Sequence, residues 1–237
     1  MGNLFRFKQF AVDQSNCAMK VNTDGVLLGA LAYASDPQSI LDIGAGTGVI
    51  ALMLAQRYVT ARVDAVEIDP QAAQTASLNF QNSAFADRLD LYPGSFVQFF
   101  ATIPERKYDL IVTNPPFFLN SLKSASKAKE TARHTDTEFF EDLFVLSARH
   151  LSHGGTLAMI LPIDTAGAVE HLAHQAGLYG RWKIDVRSYP SSVPHREILG
   201  FGLTQTEPTR DDFIIYAAEK VYSPQYRHLL KDFLTIF

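Results

Sequence analysis

Disulfides, metal-ligand clusters and long apolar runs are all missing from this chain. A single cysteine, Cys17, stands among 237 residues, so no intramolecular disulfide can form and nothing calls for an oxidising compartment. No His/Cys cluster at ligand spacing accompanies it, so no metal is expected. No apolar run approaches the ~20 residues that a helix needs to cross a bilayer. The N-terminus, Met1 to Gln14, mixes Arg6 and Lys8 with Phe5, Phe7 and Phe10 and lacks the apolar core of a signal peptide. A cytoplasmic protein with no membrane association is expected. There is no positive excess either: the formal net charge is −4, so a polyanion would have to be met by a local patch. Repeats, low-complexity tracts and composition breaks are absent. A single domain over 1–237 is expected, with 1–35 as an N-terminal arm and first helix.

What is present is alternation. Apolar residues make up 47% and charged residues 19%, the proportions of an ordinary globular chain. Thr23 to Ala32 reads as a short helix with Thr23 as N-cap. Strands follow at Ser39 to Ile43, Arg62 to Ile68, Leu89 to Tyr92, Tyr108 to Thr113 and Thr156 to Leu161. Helices at Val49 to Tyr58, Pro70 to Ser83, Phe96 to Thr102 and Glu138 to Leu151 separate them. This is the pattern of βαβ units, a mostly parallel sheet with helices on both faces. After a helix from Asp164 to Gln175, strands at Trp182 to Ser188 and Glu197 to Thr204 are joined by the short loop 189–194, which suits an antiparallel hairpin. Phe213 to Ala217 is a further short strand candidate, and Pro224 to Phe233 a terminal helix.

Two stretches carry chemistry. Asp42-Ile43-Gly44-Ala45-Gly46-Thr47-Gly48 lies between a strand and a helix, where glycines allow a tight turn and close backbone approach to a ligand. Its Gly-x-Gly-x-Gly spacing departs from the dinucleotide fingerprint. Glu67 follows at close to the ~20-residue offset at which a carboxylate meets a ribose. Asp42 would be awkward beside a pyrophosphate and suits a ligand with positive charge, such as S-adenosylmethionine. The competing reading is a glycine-rich turn in which Asp42 is a local turn residue. The second stretch, Asn114-Pro115-Pro116-Phe117, ends a buried strand with two residues that cannot continue a ladder. At such a strand exit a polar side chain faces a bound molecule.

Together these stretches resemble class I methyltransferases, Rossmann-like enzymes with a seven-stranded, mostly parallel sheet and an antiparallel final hairpin. The resemblance implies S-adenosylmethionine as cofactor, held by Asp42, Gly44, Ala45, Gly46, Gly48 and Glu67, with Ile68 on the adenine face. Ser95 stands where the class often has Asp for the adenine amino group, and the Phe96 N–H can still serve a ring nitrogen. Lys20 and Thr23 either close over the methionine end or cap the first helix. Asn114-Pro115-Pro116-Phe117 resembles the Asn/Asp-Pro-Pro-aromatic motif of enzymes that methylate nitrogens conjugated to a planar system. The Asn114 side-chain oxygen and the Pro115 carbonyl would hold two amine hydrogens, Pro116 would stiffen the turn and Phe117 would stack on the base.

Three flanks narrow the family. Asn16 to Ala30, Val193 to Phe201 and Tyr222 to Tyr226 resemble bacterial valine tRNA adenine-N6 methyltransferases, which act on the adenosine 3′ of the anticodon. Asn22 departs from the glycine usual in that family. The resemblance implies a tRNA anticodon stem-loop as partner and a monomer. Segment 118–137 is read as a mobile lid whose Lys123, Lys127, Lys129 and Arg133 meet phosphates, or as a solvated lysine-rich face. His195 and Arg196 would shape the substrate mouth, although His195 also suits an ordinary loop role. Guanine N2 in rRNA, protein glutamine, and RNA recognition without catalysis are the competing functions.

Overall fold

The structure, a computed structural model, describes residues 3–15, 17–115 and 127–237, and for 127–136 the backbone alone. Its elements run β1 (Leu4–Arg6), β2 (Ala11–Asp13), α1 (Thr23–Leu31), β3 (Ser39–Ile43), α2 (Val49–Arg57), β4 (Arg62–Glu67), α3 (Pro70–Gln81), β5 (Leu89–Pro93), α4 (Phe96–Thr102) and β6 (Tyr108–Thr113). There follow α5 (Lys127–His150), β7 (Leu151–Pro162), α6 (Ile163–Gln175), β8 (Tyr179–Arg187), β9 (Arg196–Gly202), β10 (Thr209–Ile214), β11 (Tyr216–Ala218), β12 (Val221–Tyr222) and α7 (Pro224–Leu230).

The main sheet has the order β10-β8-β9-β7-β6-β3-β4-β5. Strands β5, β4, β3, β6 and β7 are mutually parallel, and β9 runs antiparallel to both β7 and β8. The central strands are mostly apolar because both faces are covered, with Asp42 in β3 and Asp64 in β4 as buried exceptions. Along β6, Leu110 and Val112 join one core with α1 and α2, while Ile111 joins the other with Phe140, Leu143 and Phe144 of α5. Successive side chains alternate faces, so one strand serves both cores. The chain crosses from β3 to β4 on one side and returns to β6 on the other. That reversal opens a crevice at the strands' carboxyl ends.

Four details differ from the sequence expectation. The sheet has eight strands: β10 adds a parallel edge strand beside β8, a step before the expected Phe213 to Ala217. Its first residues, Thr209 to Asp212, are exposed and mostly charged, the composition of a protected edge, and carry no apolar signal. Helix α5 begins at Lys127 instead of Glu138, because its first turns are polar and show no periodicity. Half of the expected lid is therefore helical backbone, and 118–126 lie outside the described residues. The cap of α1 is Asn22, whose Oδ1 accepts from the Gly25 N–H at 2.9 Å, not Thr23. An antiparallel β1–β2 pair organises the N-terminal arm.

Candidate active site at the carboxyl edge of the sheet

The loop from β3 into α2 has Gly44, Gly46 and Gly48 at φ of 75°, 55° and 80°, a region that side chains other than glycine seldom enter. Gly48 has a second reason to be glycine: a Cβ there would lie 2.5 Å from the Phe80 ring. The loop is pinned from β4. The N–H groups of Gly44 and Ala45 donate to the Val66 carbonyl at 2.9 and 3.1 Å. The Gly46 N–H donates to Glu67 Oε2 at 2.7 Å, and the Asp69 N–H donates to Glu67 Oε1 at 2.8 Å. Glu67 thus ties the glycine loop to the start of α3, where Asp69 caps the helix.

A cavity of about 370 Å³ lies over this edge. Gly44 and Gly46 line it from the loop, Glu67, Ile68 and Asp69 from the end of β4, and Gly94, Ser95 and Phe96 from the end of β5. Asn114 and Pro115 close it from β6. Ile68 is an apolar side chain left 70% exposed, an unfavourable placement unless something planar covers it. Ser95 caps α4 by accepting from the Val97 N–H at 3.2 Å. Asn114 Oδ1 is buried and has no hydrogen-bond partner, a state that costs about 1–3 kcal/mol.

Not every expected residue joins this cavity. Asp42 is fully buried behind the loop, where its Oδ2 accepts from the Ala51 N–H of α2 at 3.1 Å and its Oδ1 has no partner. Burial raises its carboxyl to about 7, with the Glu67 charge adding and the Ala51 bond opposing. Asp42, Ala45 and Gly48 shape the loop from behind; Lys20, Thr23, His195 and Arg196 also lie off the cavity lining. Arg196 pairs with Asp24 of α1 at 2.8 Å, and His195 is held below the ordinary histidine range by burial and by Arg196. Pro116, Phe117 and Lys123 lie outside the described residues, as do the side chains of Lys127, Lys129 and Arg133.

Sequence reasoning missed several lining residues. Cys17, Ala18 and Met19 form a front wall, and Phe139 of α5 reaches in, with its ring 5.5 Å from that of Phe96. Met19 is 42% exposed, an exposure that only the folded chain reveals. Among the described residues the cavity is lined by two carboxylates, Glu67 and Asp69, and by no Lys, Arg or His. A pyrophosphate is poorly served there. An apolar shelf, open glycine backbone and an acidic corner suit a planar ring, a ribose diol and positive charge, which S-adenosylmethionine combines. No group of three or more His, Cys, Asp or Glu among the described residues can hold a metal ion.

This fold with its glycine loop is that of a Rossmann-like methyltransferase. A predicted O-methyltransferase from Agrobacterium tumefaciens superposes with a TM-score of 0.67 over 89% of this chain and 96% of that one, at 19% identity. TrmN from Thermus thermophilus does so at 0.53 over 75% of this chain and 46% of that one, also at 19% identity. Residues 20–172 match the methyltransferase small domain model. A Pedobacter heparinus protein named tRNA1(Val) (adenine(37)-N6)-methyltransferase is 45% identical over 100% of both chains. A Trichodesmium erythraeum protein of the same name is 42% identical over 98% of each. The chain belongs to the methyltransferase small domain family, within the branch of these full-length relatives.

Proposed function

We propose that the chain methylates N6 of an adenine in tRNA, adenine 37 of tRNA1(Val), using S-adenosylmethionine and docking the anticodon stem-loop in the cytoplasm. One observation carries the chemistry: a buried, unpartnered acceptor, Asn114 Oδ1, beside a cavity that holds carboxylates and no cation among the described residues. The names of the full-length relatives support the choice of adenine and of tRNA. No helix among the described residues is long and apolar enough to cross a membrane.

Bound S-adenosylmethionine supplies a methyl carbon on a positively charged sulfur. Glu67 holds the loop with one lone pair on each oxygen and keeps others for ribose hydroxyls. Ile68 and Phe96 would flank the adenine ring of the cofactor, Ser95 would offer its hydroxyl at the ring edge, and Gly44 and Gly46 would admit close approach. Lys20 and Thr23 lie off the cavity lining and would reach the methionine end only from outside it. Asp42 supports the loop from behind through its bond from the Ala51 N–H, without touching the ligand.

The target amine is a poor nucleophile because its lone pair is delocalised into the base. Asn114 Oδ1 accepts one N6 hydrogen and the Pro115 carbonyl accepts the other, which favours the tetrahedral nitrogen that reacts and satisfies the orphaned oxygen. No side chain need act as base, since the proton leaves to water once the nitrogen is cationic. Pro116 stiffens the carbonyl and Phe117 stacks on the base, which must be flipped out of its loop. Lys123, Lys127, Lys129 and Arg133 meet RNA phosphates, while His195 and the Asp24-bound Arg196 shape the mouth. The test is labelled methyl transfer to total unmodified tRNA with nucleoside analysis. N6-methyladenosine is expected; N2-methylguanosine or labelled protein would overturn the assignment.

A further inference from the structure

A second cavity, of about 340 Å³, opens at the first turn of α1. Phe5 and Arg6 line it from β1, Tyr222 and Tyr226 from the C-terminal hairpin and α7, and Asn22 and Thr23 from the α1 cap. Its aromatic wall is ordered before any ligand arrives: Tyr222 stacks on Tyr226 with ring centroids 4.7 Å apart and planes 6° from parallel. Tyr216 covers the other face of Tyr222 at 5.1 Å, so Phe5 is the lining ring that stands outside this stack. At the rim, Arg6 is exposed and its side chain makes no ion pair or hydrogen bond to any described residue. The carboxylate on the same turn of α1, Asp24, is neutralised by Arg196. Arg6 is the one charged residue that lines this cavity among the described residues, in a protein of net charge −4.

This cavity adjoins the Asn114 site. A Cβ placed on Gly25 would lie 3.6 Å from Asn22 Oδ1 and 3.9 Å from Asn114 Nδ2. One glycine thus separates the amide that lines the second cavity from the amide that faces the target amine. Aromatic rings with a nearby cation are how proteins hold single-stranded bases, and Phe5 and Arg6 supply that pair on the cavity wall.

We propose that the second cavity binds the base of a nucleotide adjoining the methylated adenine, with Arg6 on that nucleotide's phosphate. The proposal rests on the tRNA reading above. Packing an adjoining base there would hold the strand open and keep the target out of its stack.

The experiment measures affinity of the whole chain for an unmodified synthetic anticodon stem-loop, without turnover. Phe5→Ala combined with Arg6→Ala weakens binding about tenfold, the scale of one lost stacked base, and leaves S-adenosylmethionine affinity unchanged. An abasic residue placed in turn on each side of the target adenine costs the wild type about tenfold on one side, and costs the double variant under about twofold there. Arg6→Ala alone, at an exposed position that folding does not need, lowers the salt slope of binding by about one contact. Wild-type affinity and salt slope in the variants, or an abasic penalty equal in wild type and double variant, would overturn the proposal. A wild-type chain that binds the stem-loop through this cavity but forms no N6-methyladenosine would instead overturn the function and leave the cavity standing.

Discussion

Strands β4 and β6 carry a polar cluster at each end, and the two clusters are built on opposite plans. At the amino end, the Tyr108 hydroxyl donates to Asp64 Oδ2 at 2.5 Å, and the Arg106 guanidinium reaches the same oxygen at 2.9 Å. His150 Nδ1 meets the Arg106 carbonyl at 2.8 Å. Charge is cancelled in place, and the cluster fastens β4, β6 and the end of α5. At the carboxyl end, Glu67 is spent on backbone N–H groups while Asn114 Oδ1 has no partner. Each end leaves one buried acceptor without a partner, Asp64 Oδ1 below and Asn114 Oδ1 above; of the two residues, Asn114 is the one that lines the cavity. A buried polar atom without a partner costs stability wherever it sits, and the Asn114 orphan belongs to a residue of the cavity wall.

The contrast can be broken most directly at Asn114. Asn114→Ala removes the acceptor and should lower kcat on the order of 10³-fold, ~4 kcal/mol of transition-state stabilisation. S-adenosylmethionine affinity by calorimetry should hardly move. Turnover within about twofold of wild type would dissolve the distinction between the two ends.

Asp42 gives the next effect. Its carboxyl stands at about 7 in the fold against an ordinary 3.8. Between those values the unfolded chain has lost the proton and the folded chain keeps it, so this group's contribution is full at low pH and is lost as pH rises toward 7. The loss is about 2–4 kcal/mol. Urea unfolding across that window should show stability falling with pH in the wild type and a flatter profile in Asp42→Asn. Parallel profiles would show that Asp42 is not the group responsible.

At the amino end the prediction reverses: stability changes and catalysis does not. Tyr108→Phe leaves buried Asp64 short of a donor and should cost about 1–3 kcal/mol in urea unfolding, with kcat and KM unchanged. A kinetic defect in that variant would mean the two ends communicate. The smallest effect is at Ser95, whose side chain both caps α4 and faces the cavity. Ser95→Ala should cost about 1 kcal/mol of stability, with a modest loss of S-adenosylmethionine affinity measured by calorimetry.

The two ends were not equally legible. The upper site announced itself through local sequence: three glycines within five residues, an acidic strand end, and an Asn-Pro-Pro exit. Those features need special backbone angles or forbid strand continuation, so they are visible without neighbours. Asp64, Tyr108 and Arg106 gave no such sign, because their meaning lies in a parallel pairing across the sheet. Arg196 was noticed as a residue of the mouth, but its partner Asp24 lies 172 positions away. Asn22 was noted only as a departure from glycine, while its side chain proved to be the cap of α1. The charged edge strand β10 and the polar first turns of α5 escaped because neither buries a periodic apolar face.

By itself the sequence determined the alternating α/β plan, the ends of the central strands and the residues that meet at their carboxyl edge. Apolar runs buried on both faces, glycine turns and proline breaks are local consequences of backbone geometry and solvent exclusion. Only the tertiary structure decided that Asp42 faces α2 from behind the loop, that Cys17, Met19 and Phe139 wall the cavity, and that Arg196 locks α1 against β9. It also set Asn22 and Asn114 on either side of Gly25. Which side chain turns toward a cavity and which toward a neighbour depends on segments brought together across the fold, and no local pattern encodes that choice.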